Sequence, residues 1–168
     1  MTGAHLHLLI NHVPILGAIL AVLLLLVSRW YGGEILARTA LVLLVVVGLA
    51  GTGAKYTGEP AEDAVRGLPG ITRAAIHEHE EMADTAFLAA VAVALVSAGI
   101  LARWRREPIP GAAFTVALLG SLAVSGLMAY TGLLGGQVRH TEVRPGATPA
   151  DASAIEAPRA RPSSAVAP

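Results

Sequence analysis

Four long apolar segments limit what this chain can fold into more than any other feature. They run approximately Val13–Ser28, Ile35–Ala54, Thr85–Ala102 and Ala112–Leu134. Crossing the roughly 30 Å of hydrocarbon in a bilayer takes about 20 residues of helix. The first segment is short for a span, but Leu6–Ile10 before it extends the apolar face. In lipid every backbone N–H and C=O must be satisfied inside its own segment, so separate spans are helices. The fold expected is all-α: an integral membrane four-helix bundle. Its helices fall at about 5–28, 35–55, 71–103 and 111–134, within one transmembrane domain over about 1–142. Composition agrees. The 168 residues are 54% hydrophobic and 14% charged, with mean hydropathy +0.62, too apolar for a typical soluble domain. Positions 143–168 are rich in Pro, Ala and Ser with almost no bulky apolar residue, which predicts a disordered tail.

Several function classes are disfavoured at once. No ionisable group lies deep in any span, which argues against an ion pump or a transporter of charged substrates. Net charge is zero and no basic cluster suggests nucleic acid. There is no cysteine, so disulfides, thiolate metal sites, cysteine-held iron–sulfur clusters and covalently attached haem are excluded. No nucleophile–base arrangement stands out, and the chain does not read as an enzyme.

Topology follows from the arginines. Four spans put both termini on one side. The two short hairpin loops on the other side hold Arg29 and Arg38, then Arg103, Arg105 and Arg106. Arginine-dense short loops face the cytoplasm, which makes both termini extracytoplasmic. No Lys or Arg precedes the first apolar run, so it is expected to stay as a span, not to be a cleaved signal.

All six histidines then fall on the extracytoplasmic face: His5, His7, His12, His77, His79 and His140, among Glu59, Glu62, Asp63, Glu78, Glu80, Glu81, Asp84 and Glu142. Imidazoles and carboxylates gathered at one face are the groups that bind a metal or a haem. A weak repeat runs through them. Tyr56-Thr57-Gly58 closes the second helix and Tyr130-Thr131-Gly132 the fourth, and closely spaced histidines open the first and third. Two copies of one hairpin, related by an axis along the membrane normal, would account for this, and so would chance. Under duplication His12 and His79 are related positions at similar depth.

Helical phase separates the candidates. His5 and His12 are seven apart and share a face, while His7 points elsewhere. On the third helix Arg73, His77, Glu80, Glu81 and Asp84 form a polar stripe, and His79 lies nearly opposite with Ala75, Ala83, Ala86 and Ala90. Small residues mark close packing in membrane bundles, so His79 is expected to point inward and His77 toward water. Ala117, Ser121, Ser125 and Ala129 make a similar packing face on the fourth helix. Gly135-Gly136 permits a turn that folds His140 and Glu142 over the mouth, unless both simply begin the solvated tail. Glu59, just after Thr57-Gly58, can reach the mouth from its loop, as a ligand or as the partner of a ligating histidine.

Certain blocks together resemble a known family. They are His-Leu-Leu-Ile-Asn-His-Val-Pro-Ile (His7–Ile15), Thr-Gly-Glu-Pro-Ala-Glu (Thr57–Glu62), Leu-Pro-Gly-Ile (Leu68–Ile71), His79-Glu80 and Gly-Gly-Gln-Val-Arg-His-Thr-Glu (Gly135–Glu142). The family comprises four-helix bacterial inner-membrane proteins of unknown function. The resemblance covers about the first 142 residues, leaves out the tail, and implies fold, topology and an inner-membrane location but no activity. The family pattern has a histidine before the Leu-Pro-Gly step, where this chain has Arg66-Gly67. A looser similarity to four-helix b-type cytochromes adds weight to haem by analogy.

Three readings stay open. In the first, His12 and His79 are the axial pair of a haem b serving electron transfer. In the second, His12, His79, His140 and Glu59 hold a zinc, copper, iron or manganese ion, with His5, His7, Glu62, Glu80 and Glu142 as secondary candidates. No HExxH-type motif is present, and His77-Glu78-His79-Glu80 has the wrong spacing for two ligands on one face. In the third, the same residues form a hydrogen-bonded lid on a non-catalytic structural or assembly subunit. Partners are the lipid bilayer and, depending on the reading, other membrane subunits or a redox protein.

Overall fold

The computed structural model describes residues 3–147. All their regular structure is helical: α1 Gly3–Ile10, α2 His12–Tyr31, α3 Glu34–Val65, α4 Arg73–Arg103, α5 Gly111–Arg139, and a single 3-10 turn at Thr141–Val143. The tail expectation falls mostly on positions 148–168, outside the described residues.

α1 and α2 are one span, Gly3–Tyr31, interrupted at Asn11. The interruption is a proline effect. Pro14 has no N–H to give to the Ile10 carbonyl, so one rung of the ladder is missing. Asn11 keeps right-handed helical dihedrals (φ −64°, ψ −22°), and its N–H still reaches the His7 carbonyl at 2.9 Å. The span ends at Gly32, whose φ of +69° closes a left-handed cap with its N–H on the Ser28 carbonyl at 2.9 Å.

α3 departs from expectation. Its expected end lies at about 55, yet it continues through Gly58 and Pro60 to Val65. Pro60 costs the helix only its bond to the carbonyl of Tyr56, at an exposed turn. Packing and charge offset that loss. Gly3 of α1 lies directly on Pro60, where a β-carbon would stand 2.6 Å from the proline Cβ. Glu62 pairs with Arg66 at 2.7 Å, one turn on. The connection to α4 is correspondingly short and turns at Gly67 and Gly70, both at positive φ. Thr72 caps α4, its hydroxyl oxygen accepting from the Ala75 N–H at 3.2 Å. α5 also outruns its expected end at 134, continuing through Gly135-Gly136 to Arg139.

Four helices are long and apolar enough to cross a membrane, which makes the chain a multi-pass membrane protein by length and composition. α3 packs on α1, α2 and α4, and α5 packs on α4 and α2, so the first and third spans stand on a diagonal. The core has two layers. Ala21, Leu25, Ala40, Leu41, Leu44, Ile100 and Ala117 fill the end near the short hairpins. Ala18, Val47, Ala86, Ala90, Val124 and Met128 fill the half nearer the histidines. Leu49 and Leu95 are 68% and 69% exposed on the outside of the bundle, as lipid-facing side chains are. Trp30, Tyr31, Tyr56 and Tyr130 are exposed near the ends of the apolar stretches, where interfacial aromatics sit.

Each end is tied across hairpins. At the short-loop end, Arg38 pairs with Glu34 at 2.8 Å and donates to the carbonyls of Trp104 and Glu107, both at 2.7 Å. At the other end, Arg144 donates to the carbonyls of Gln137, Val138 and Gly70 at 2.7, 3.0 and 2.9 Å. This caps α5 and fastens the segment after it to the α3–α4 turn. Both ends of the described chain therefore lie at the histidine end.

Candidate functional site

Two half-buried imidazoles face the interior of the histidine end: His7 on α1 and His79 on α4. His7 Nδ1 lies 3.1 Å from the Ala54 carbonyl and 3.1 Å from Thr57 Oγ1, both on α3. His79 Nδ1 lies 3.1 Å from the Thr131 carbonyl on α5. Each histidine thus reaches from the first helix of its hairpin to the second, at the turn carrying the Tyr-Thr-Gly sequence. The two rings stand on diagonally placed spans, near enough that a charge on one would act on the other.

These contacts set the tautomer. A carbonyl oxygen only accepts, so each ring carries its proton on Nδ1 and leaves Nε2 with a free lone pair. The Thr57 hydroxyl donates to the carbonyls of Gly53 and Ala54, and the Thr131 hydroxyl to that of Leu127. Both threonines therefore spend their protons on their own helix and hold its backbone where the histidines dock. Glycine admits the His79 ring, whereas the approach of His7 to α3 would tolerate a β-carbon. A β-carbon on Gly58 would be 3.9 Å from His7 Cε1, and one on Gly135 only 3.0 Å from His79 Cε1. Gly135 is a packing position inside α5, in place of the turn its sequence suggests.

One turn below His7 on the same face stands Asn11. Its Oδ1 is buried and has no hydrogen-bond partner.

The other candidates sit apart from this pair. His12, expected to face His79, is exposed, with Nδ1 2.6 Å from the Leu8 carbonyl of its own span. Five residues separate it from His7, so it points well round the helix, and His7 takes the inward place. His5 is exposed. His77 is exposed with Nε2 3.4 Å from Glu81, as its stripe implied. His140 is exposed and bonded through Nδ1 to Glu142 at 2.9 Å. Its own N–H and the His140 bond hold the Glu142 carboxyl below the usual carboxylate range. Glu59 is exposed on the extension of α3, not in a loop. The set His12, His79, His140 and Glu59 is not brought together. Among the described residues no three His, Asp or Glu side chains form a group able to hold a metal ion.

Glu62 of α3 and Glu80 of α4 do come together at one cleft. They line a cleft of about 220 Å³ with Arg66, Arg73, Ile76 and His77. Lys55 and Asp84 pair between the same two helices.

Sequence reasoning passed over Asn11, Thr57, Thr131 and Gly135 as site residues. The signals were present: His7 and Asn11 stand at i, i+4, and the two threonines hold matching places in the repeat. Comparison with family models, curated proteins and solved structures finds no match to this chain.

Proposed function

We propose that this chain is a multi-pass protein of the bacterial inner membrane that holds a histidine-ligated cofactor at its extracytoplasmic face, between His7 and His79, and serves electron transfer or metal handling. One observation carries the reading. Both rings are anchored through Nδ1 on a backbone carbonyl of the neighbouring helix, which fixes the tautomer and frees Nε2. Ligating histidines characteristically carry this kind of outer support, which orients the ring and raises its basicity.

A metal ion suits these residues better than a haem. Imidazoles from two diagonal spans are the axial pair a b-type haem uses. Little is left to wall a porphyrin, however. Trp30, Tyr31, Tyr56 and Tyr130 are exposed, and Trp104 and Phe114 pack in the short-hairpin layer, which leaves Phe87, facing Gly51. Bound at Nε2 of both rings, a metal would supply a Lewis-acidic or redox centre. The protein's part is to orient the two rings and to exclude lipid and most water from them.

The second reading is a non-catalytic structural or assembly subunit. It is favoured by the contacts that tie the outer ends together: Lys55–Asp84 between α3 and α4, and Arg144 on the Gly70 carbonyl of the α3–α4 turn. Elemental analysis of the detergent-purified protein, with visible spectra before and after dithionite, separates the two. Stoichiometric metal, or a Soret band that shifts on reduction, is the expected result. A protein free of both after purification and after incubation with metal or haemin supports the structural subunit.

A further inference from the structure

We infer that Asn11 Oδ1 is a third donor of a non-haem divalent metal site completed by Nε2 of His7 and of His79. This rests on the histidine site proposed above and names its chemical class.

The starting point is the unsatisfied oxygen. An amide carbonyl buried without a partner is unfavourable and rare, and where one persists an unseen donor or ion is a standard reason. Asn11 is four residues from His7, so it lies on the same face about 6 Å further into the bundle. Pro14 deprives the Ile10 carbonyl next to it of its helical N–H, and the tautomers leave both Nε2 atoms as acceptors. Lone pairs without hydrogens to meet them are what a cation requires.

Two imidazole nitrogens and an amide oxygen are borderline-to-hard ligands, suited to Zn(II), Cu(II), Fe(II) or Mn(II). Three protein ligands leave a coordination position open to water. The set carries no charge, so a bound divalent ion keeps both of its own. Such a site holds metal less tightly than one containing a carboxylate and suits exchange with a donor or acceptor of metal. A haem would need only the two imidazoles and would give Asn11 nothing to do.

The test uses the full-length protein in detergent, titrated with Co(II), whose visible d–d bands report nitrogen and oxygen coordination. Wild-type protein should bind one equivalent. Asn11→Leu should weaken binding at least about tenfold, because loss of even an outer-shell partner costs a metal site about tenfold to a hundredfold. Asn11→Asp keeps the oxygen, adds a charge and should tighten binding, so it carries the test if the leucine variant fails to fold. Asn11→Leu and Asn11→Asp both binding like wild type, while His7→Ala and His79→Ala lose the metal, overturns the role of Asn11 and leaves the histidine site standing. No Co(II) binding by the wild-type protein overturns both.

Discussion

Gly135 of α5 lies directly against the imidazole of His79: a β-carbon there would stand 3.0 Å from Cε1 and 3.3 Å from Nδ1. Gly135→Ala therefore requires the ring or α5 to give by a few tenths of an ångström, which strains the bond to the Thr131 carbonyl. Overpacking of this kind costs about 1–3 kcal/mol. It is expected to lower the thermal midpoint and to reduce the metal or haem retained through purification. Gly136→Ala next to it is the control, with nothing within 4 Å. That substitution should be neutral or gain up to about 1 kcal/mol of helix propensity. Equal behaviour of the two variants would remove Gly135 from the site.

The inward and outward histidines make a second contrast. His7→Ala and His79→Ala should each abolish cofactor retention, because each removes one of the two proposed ligand nitrogens. His12→Ala and His77→Ala, both exposed, should retain the wild-type amount. Elemental analysis and visible spectra of the four variants decide it. Loss in His12→Ala equal to that in His7→Ala would contradict the helical phase described here.

Close packing at the bundle centre is testable without any cofactor. A β-carbon on Gly48 would lie 2.5 Å from the Ala94 Cβ and 3.3 Å from the Ala90 carbonyl. Gly48→Ala should force α3 and α4 apart and destabilise the protein by about 1–3 kcal/mol. Gly99→Ala, on α4 in open space, should not. Thermal unfolding in one detergent, monitored by helical circular dichroism, compares them.

The segment after α5 has a pH dependence of known sign. Glu142 is held below its ordinary value of 4.5, first by its own N–H and then by His140. A depressed carboxylate contributes stability that is present above its unfolded pKa and lost as pH falls through the folded one. The turn at Thr141–Val143 should therefore exchange its amide hydrogens faster as pH drops below about 4.5, once intrinsic exchange is corrected for. Glu142→Gln should remove that dependence. Arg144→Ala should loosen the same turn at every pH, because Arg144 carries the bonds to Gln137, Val138 and Gly70. An unchanged exchange profile in Arg144→Ala would show that the segment is held by other contacts.

Where the sequence misled, it did so through local rules. Pro60 and Gly135-Gly136 carry breaker chemistry, yet both lie inside helices. Gly3 packs on Pro60 and His79 on Gly135, from helices far away in the chain. Propensity is a weak prior that such contacts override. The small-residue argument for His79 succeeded because Ala86 and Ala90 are buried in the bundle and follow its face.

Sequence alone determined the four spans, their shared all-α architecture, the gathering of histidines at one end and the outward turn of His77. Those properties are sums over contiguous residues: hydropathy over a bilayer's thickness, and periodicity within one helix. Tertiary structure alone decided that His7 and not His12 meets the interior, that Thr57 and Thr131 support the imidazoles, and that Asn11 is left with a buried oxygen. A wheel gives angles between residues on one helix, but the direction of zero angle is set by the neighbouring helices. Only the packing of α1 on α3 and of α4 on α5 supplies it.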